Sequence, residues 1–594
     1  MTTLNRKNSA AQCFLPVLLI ACCTLLVFCT PAAQDYGPQT GGGNGGGNGS
    51  GNSPYIVYTV SWATHLDEVI FRQAIQGISS RDKPQVYFIH DIPVYNRWLE
   101  EARKKHGFTT QPVATTWALY DLFKDKINGY VLYPTTSTEA MNYAATLAGV
   151  LDAVPVSSRM EQEAKNRNLP KLADTANFPT IESLIAQYGN VLNKKMFVNH
   201  DFRNFTLRDY GIKHKSLIVW PPNQAGLEPA YNFMDDNAVV FGAFSNGPPG
   251  YPEGYDQGGE VHGVMNASTK QVSLVPADHA MNLSFFEEIS DSVHNPKPVV
   301  DRTLTPKAGE HYVAFVYTDG DNLQWIVGDF TNSNGVHGQR WPMSGRNIPM
   351  GWSLLPTLPD HGPVLLDYIY TNSPATDNFI AGLGYAYNHP SKFTAANLGE
   401  FGRLTAEYMA RSGMHYVEFI DEVLTLPASH WQAILQHDQI KGVLFKARNK
   451  YREGRGYVEW HHGKPVVAYR EALWSNWDMP GITEQQQNRD IYQMAYRISE
   501  YGTNYQNINA YTLVAVHAWS HAYPSIKKVV DWFTANAAHV KVVTPDTLMR
   551  FIAENVPKTS AEPNQSFNRD GTTDWLGRPR DWTYPASVRA LYGE

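Results

Sequence analysis

Tyr312-Val313-Ala314-Phe315-Val316-Tyr317 runs without a break into Thr318-Asp319-Gly320-Asp321-Asn322. A run of apolar and aromatic residues this uniform marks a strand buried on both faces, and the polar, glycine-containing turn behind it opens a loop toward a helix. The same unit recurs down the chain. Residues 350–355 (MGWSLL) lead into Pro356, and 379–385 (FIAGLGY) into Ala386-Tyr387-Asn388-His389-Pro390. Residues 415–420 (HYVEFI) end in Asp421-Glu422, and 442–445 (GVLF) lead to Lys446 and Arg448. Residues 465–469 (PVVAY) lead to Arg470-Glu471 and Trp474, and 512–516 (TLVAV) to His517-Ala518-Trp519-Ser520-His521. The last, 540–543 (VKVV), precedes Thr544-Pro545-Asp546 and a closing helix over 547–554. Eight strands separated mostly by helix-length segments predict a (β/α)8-like barrel over 299–558, with a seven-stranded or distorted barrel as the alternative.

Upstream, 55–60 (YIVYTV), 85–89 (QVYFI), 129–133 (GYVLY) and 216–220 (SLIVW) alternate with helical stretches. That pattern predicts an N-terminal α/β domain with a parallel sheet over 55–298. The closely spaced prolines of Asn295-Pro296-Lys297-Pro298 mark the boundary between the two parts. Neither GxGxxG nor GxxxxGK[ST] occurs, which counts against the usual nucleotide-binding roles. Asp278 ends a strand and reads first as a helix cap. A Gly/Pro-rich loop with Tyr251 and Tyr255 precedes it.

The ends of the chain speak of export. Arg6 and Lys7 precede an apolar stretch, and small residues follow at Thr30, Ala32 and Ala33, which is the pattern of a signal peptide over 1–33. An uncleaved anchor, or lipidation at the Leu19-Ile20-Ala21-Cys22 sequence, is the alternative, and the only membrane association expected. Residues 34–54 form a Gly/Asn/Ser-rich tether without the apolar residues to build a core. All four cysteines, Cys13, Cys22, Cys23 and Cys29, fall in the leader, so cleavage would leave no cysteine chemistry in the folded part. The remaining tail, 559–594, carries no assignable pattern.

Gly382-Leu383-Gly384-Tyr385-Ala386-Tyr387 resembles the signature of the GxGYxYP family, a group of proposed glycoside hydrolases. Asn388 and His389 stand before Pro390, where the signature has proline at once, as in a divergent member. The resemblance extends over about residues 55–555 and implies carbohydrate processing in an exported protein. It assigns no catalytic residue.

Composition supports real folded cores and counts against nucleic acid. The chain has 594 residues, a hydrophobic share of 43% and a net charge of −7, becoming −9 without Arg6 and Lys7 (47 minus 56). A reader of phosphate backbones carries a basic excess. In a barrel, chemistry sits where the strands end. The candidate catalytic carboxyls are therefore Asp319 or Asp321 with Glu422 or Glu471, one as acid and the other as base or nucleophile. Asp319-Gly320-Asp321-Asn322 also reads as an Asx turn, and Asp421 and Glu422 cannot both face inward. Tyr385, Tyr387, Asp421, Trp474, His517 and Trp519 are candidate substrate contacts, with Arg448 and Arg470 as anion binders or ion-pair partners. No cofactor is expected on the first reading. A second reading gathers Asp319, Asp321, His517 and His521 round a divalent metal for sugar deacetylation. The third is a glycan-binding protein without turnover.

Overall fold

The computed structural model describes residues 55–63, 65–134, 138–244, 259–289, 303–332, 347–447, 455–474, 483–518, 520–564 and 583–594. The leader and tether lie outside the described residues, as do Tyr251, Tyr255, Arg448 and Trp519. Among the described residues no helix is long and apolar enough to cross a membrane.

The first half builds three small parallel sheets in place of the single sheet expected. β1 (Ile56–Val60) pairs with β2 (Val86–Phe88) and β3 (Thr109–Pro112). β4 (Gly129–Tyr133) lies between β5 (Ala153–Ser157) and β6 (Lys171–Asp174). β7 (Met196–Asn199), β8 (Ile218–Val219), β9 (Val239–Gly242) and β10 (Ser273–Pro276) form the third, in the order β10-β9-β7-β8. Each strand is short, so no single sheet spans the half, and helices between the sheets fill the core.

The second half contains all eight expected strands, in one ten-stranded mixed sheet. They are β11 (His311–Tyr317), β12 (Met350–Leu354), β13 (Asp377–Ala381), β14 (Tyr416–Asp421), β15 (Gly442–Ala447), β17 (Lys464–Ala468) with its continuation β18 (Glu471–Leu473), β19 (Tyr511–Val516) and β20 (Val540–Val542). β16 (Val458–His461) adds an antiparallel hairpin to β17. Among the described residues a (β/α)8 barrel is not shown. β17 pairs with β15, and β18 then pairs with β19. The switch occurs where the Tyr469 N–H donates to the Phe445 carbonyl and the Arg470 N–H to Leu513. Parallel pairing therefore closes through β11-β12-β13-β14-β15-β17/β18-β19 and back to β11. β20, three residues long, pairs with the start of β11 on the edge that β12 uses higher up, outside this circuit.

Strand alternation sorts the second half into two cores. Tyr312, Ala314, Val316, Ile380, Tyr416, Leu444, Val467, Leu513 and Ala515 share one apolar cluster with Leu548, Met549 and Ile552 of the helix Pro545–Asn555. Their neighbours Val313, Phe315, Val417, Phe419, Val443 and Phe445 join the larger cluster, which reaches back to Val57 and Val69 in the first half. The tail that sequence left unassigned also packs. Ala561 pairs with Val458, and the buried Tyr592 accepts from Gln493 at 3.1 Å.

Hydrogen bonds fasten the halves together. Leu274 in β10 and Tyr387 in the signature exchange two backbone hydrogen bonds of 2.7 Å. The Tyr385 hydroxyl donates to the Asn237 carbonyl at 2.8 Å, and the His389 N–H to the Ser268 hydroxyl at 2.9 Å. The Trp98 indole N–H reaches the Val327 carbonyl at 2.8 Å. Because Tyr385 is 5% exposed, Tyr385→Phe orphans a buried carbonyl. It should cost about 1–2 kcal/mol in denaturant unfolding, and an unchanged midpoint would show that this contact does not hold the halves.

Candidate active site

At the carboxyl end of the strand circuit the inward-facing positions turn polar. Glu418 follows Tyr416 on the inner face of β14, and at 1% exposed it is as buried as its apolar neighbours. Its Oε1 accepts from the Tyr469 hydroxyl at 2.6 Å and lies 2.9 Å from the Lys446 Nζ. Its Oε2 accepts from the Ser353 hydroxyl at 3.1 Å. Three other strands, β12, β15 and β17, thus deliver or abut the donors to one carboxylate. A buried charge needs such partners, since an unpaired one costs several kcal/mol.

The turn after β11 sits against this cluster. Asp319 adopts φ +67, a left-handed conformation that Asp tolerates better than most residues, and its Oδ2 accepts from the Thr318 hydroxyl. Its carbonyl accepts from the Asn322 N–H at 3.2 Å, and the Asn322 side chain caps the helix Leu323–Gly328. The turn reading therefore holds for the backbone, with Asn322 as the cap. A Cβ on Gly320 would overlap the Ser353 carbonyl. One on Gly382 would fall 2.5 Å from the Ser353 hydroxyl oxygen and 3.2 Å from the Asp321 nitrogen. Both glycines let three strand ends close over Ser353 and bring the Asp321 backbone beside the residue that hydrogen-bonds Glu418. Asp321 is itself buried, whereas Asp319 is half-buried.

On the β18–β19 side, Trp474 and His517 stack with ring centroids 3.5 Å apart and planes at 23°. The His517 Nδ1 is 2.8 Å from the Ser520 hydroxyl. These two expected substrate contacts are brought together at the strand ends.

Other expected site residues are committed elsewhere. Glu471 is wholly buried and forms a two-point ion pair with Arg497, Nη2 to Oε2 at 2.8 Å and Nε to Oε1 at 3.1 Å, with the Tyr501 hydroxyl on Oε1 as well. The reason is the switch of pairing at Tyr469–Arg470. Val467, Tyr469 and then Ala472 lie in the inner cluster, so alternation slips by one and Glu471 faces the helix Glu484–Ser499. Arg470 donates to the Asn509 carbonyl at 2.9 Å and lies over the Tyr501 ring. Burial lowers its guanidinium to about 10.

Asp421 accepts from the Ser391 N–H and hydroxyl, both at 2.7 Å, and from the Glu422 N–H at 2.7 Å, so it clamps the chain that follows the signature. Burial pushes its carboxyl up against the opposing pull of those hydrogen bonds. Tyr385 packs on Phe401, and Tyr387 is buried against His389. As placed, neither ring offers a face to a sugar. Glu422 is half-buried just past β14. His521 is buried, with its Nδ1 3.1 Å from the Ser525 hydroxyl and its carbonyl accepting from Tyr317. Among the described residues no three His, Cys, Asp or Glu side chains come together to hold a metal ion, so Asp319, Asp321, His517 and His521 are not gathered into one ligand set. Asp278 lends its carbonyl to the Thr206 hydroxyl.

Glu418 is not among the site residues expected from the sequence. The signal was there: a carboxylate inside the apolar run HYVEFI, with Lys446 at the end of the next strand. A buried charge in a strand interior asks for a partner of opposite sign.

Residues 309–553 match the family described as "GxGYxYP putative glycoside hydrolase C-terminal domain". Residues 57–125, 127–211 and 195–287 match the first, second and third N-terminal domains of the same family. These three matches correspond to the three sheets of the first half. No curated protein matches the chain. A crystal structure of a putative hydrolase from Bacteroides thetaiotaomicron VPI-5482 shares the fold, with a TM-score of 0.71 at 23% identity, covering 86% of this chain and 96% of that one.

Glu471→Gln should act on stability. Leaving Arg497 buried opposite a neutral amide should cost about 3–5 kcal/mol, read as a lower thermal midpoint. A variant that keeps its stability but loses turnover would return Glu471 to the catalytic set.

Proposed function

Because this chain belongs to the GxGYxYP family, we propose that it is a glycoside hydrolase whose reaction takes place at the carboxyl end of the strand circuit, with Asp321 and Glu418 as the carboxyl pair. The observation that carries the reading is the setting of Glu418: buried on the inner face, hydrogen-bonded by Ser353 and Tyr469, paired with Lys446, and next to the turn that bears Asp321. In this reading Asp321 protonates the departing glycosidic oxygen. Glu418 either attacks the anomeric carbon or takes the proton of an attacking water, according to a carboxyl separation of about 5–5.5 Å or about 6.5–9.5 Å.

Lys446, Tyr469 and Ser353 hold Glu418 in one orientation, which lowers the cost of reaching the transition state. The Trp474–His517 stack provides an aromatic wall for the apolar face of a sugar ring. Half-buried Asp319 and Glu422 would bind hydroxyls at the rim. Export through the 1–33 leader, and the 34–54 tether behind it, belongs to the same proposal and fits a polymer substrate too large to enter a cell.

The test is release of reducing sugar from a panel of glycans by purified protein and by Asp321→Asn and Glu418→Gln. Each substitution is expected to lower kcat by about 10²–10⁴-fold. Asp321→Asn should keep the thermal midpoint, whereas Glu418→Gln removes the charge facing buried Lys446 and is assayed below its lowered midpoint. Turnover unaffected by Asp321→Asn would remove it from the pair. Binding without product from any glycan would support a binding protein instead.

A further inference from the structure

The carboxyl ends of β1 and β2 carry an aromatic patch that the proposed reaction does not use. Trp62, just past β1, has its ring centroid 5.1 Å from Phe88, 5.8 Å from His90 and 5.9 Å from Phe205, the last two edge-on. Phe205 comes from the loop after β7 and is 44% exposed, although the Gln73 side chain fixes its carbonyl with a 2.8 Å hydrogen bond. Ile89 and Ile92 beside His90 are 36% and 37% exposed. Large apolar side chains held in place yet left in water need a purpose.

Polar groups edge the patch. The His90 Nδ1 accepts from the Ile92 N–H at 2.8 Å, so the neutral ring carries its proton on Nε2 as a donor. Burial lowers the affinity of that ring for a second proton. Asp91 is exposed next to it as an acceptor, and Arg203 nearby in the Phe205 loop is paired with Asp201. Aromatic faces edged by a few neutral donors and carboxylate acceptors suit an uncharged sugar. A free carboxylate would repel an acidic one.

The patch is also connected to the turn that bears Asp321. The His90 ring lies 5.9 Å from that of Tyr95, whose hydroxyl points to the His279 carbonyl at 3.4 Å. The His279 N–H donates to Gln324 Oε1 at 2.7 Å, and Gln324 lies in the helix Leu323–Gly328 directly behind Asp321 and Asn322. Thr206, next to Phe205, bonds the Asp278 carbonyl in the same loop. The Asp278–His279 connection thus joins the patch to the rim of the candidate active site.

We propose that Trp62, His90 and Phe205 form a shelf that binds uncharged sugar units of a glycan chain whose scissile bond lies over Asp321 and Glu418. This rests on the glycoside hydrolase reading and names its substrate class: a neutral polysaccharide rather than a short or acidic one. Sugar rings stack on Phe205 and Trp62 while His90 donates to a hydroxyl and Asp91 accepts from one.

The experiment is affinity electrophoresis of the full chain in gels containing soluble neutral polysaccharides (xylan, mixed-linkage glucan, mannan) or, as acidic control, pectin. The wild type is expected to be retarded by at least one neutral polymer and not preferentially by pectin. Phe205→Ala, which removes an exposed ring, should weaken retardation at least tenfold in polymer concentration with an unchanged thermal midpoint. Trp62→Ala, which also removes packing against Phe88, should weaken it as much when run below its own lowered midpoint. Asp321→Asn should remain fully retarded, so that loss of hydrolysis and loss of the shelf are read separately. No retardation of the wild type by any neutral polymer overturns the proposal, as does retardation that both aromatic variants retain. A concentration-dependent dimer abolished by Phe205→Ala would overturn it in favour of contact with a second copy.

Discussion

Two reciprocal backbone hydrogen bonds, Leu274 to Tyr387 and back, tie the last strand of the first half to the turn that leaves β13. Much else depends on this exchange. It occurs in the signature itself, so the residues that identify the family also fasten its parts together. Tyr385 adds a hydrogen bond to Asn237, Asn388 one to Ser273 and His389 one to Ser268, so four of the five residues from 385 to 389 are bonded to the third small sheet or to the segments beside it. Leu383 is held at φ +53, a conformation that costs about 1 kcal/mol or more outside glycine and persists only where surroundings impose it. The same turn places Gly382 against Ser353 and Asp321. Attachment of the first half and closure of the candidate site are thus two sides of one loop.

The carboxylates of the second half show how surroundings rather than residue type decide a role. Glu471 and Asp421 are as buried as Glu418. Glu471 faces outward to Arg497, and Asp421 faces outward to Ser391, because strand alternation turns both away from the interior. Glu418 alone of the three faces inward, where its partners come from three other strands. An outward carboxylate bonded to the next layer holds elements together. An inward one is bonded to the strands around it, which is the setting the proposed reaction uses.

Much of this fold was legible in the sequence. All eight strands of the second half stand where their apolar runs put them, because parallel strands buried on both faces leave a continuous signature. The partner switch within the circuit was not legible. Nothing in PVVAYREALW announces that Tyr469 and Arg470 change partners between β15 and β19, a tertiary event that shifts the alternation and turns Glu471 outward. The three separate sheets of the first half were missed because strands of two to five residues give periodicity too short to assign neighbours. For the candidate site, Asp321, Trp474 and His517 were read from their position behind strands. Glu418 was not, because it lies within a strand rather than behind one. Tyr385 and Tyr387 were read as sugar contacts because aromatics at strand ends so often are, whereas burial against the first half occupies them here.

The signature is a fixed joint between the halves, and native-state hydrogen exchange of the Leu274 and Tyr387 amides tests that most directly. Both N–H groups are donors in the exchanged pair. They are predicted to open only with the same free energy as Ala381 in β13 and Val275 in β10, because freeing them requires the halves to part. If this pair exchanges at loop rates while β10 and β13 stay protected, the halves separate without unfolding and the signature is not what joins them.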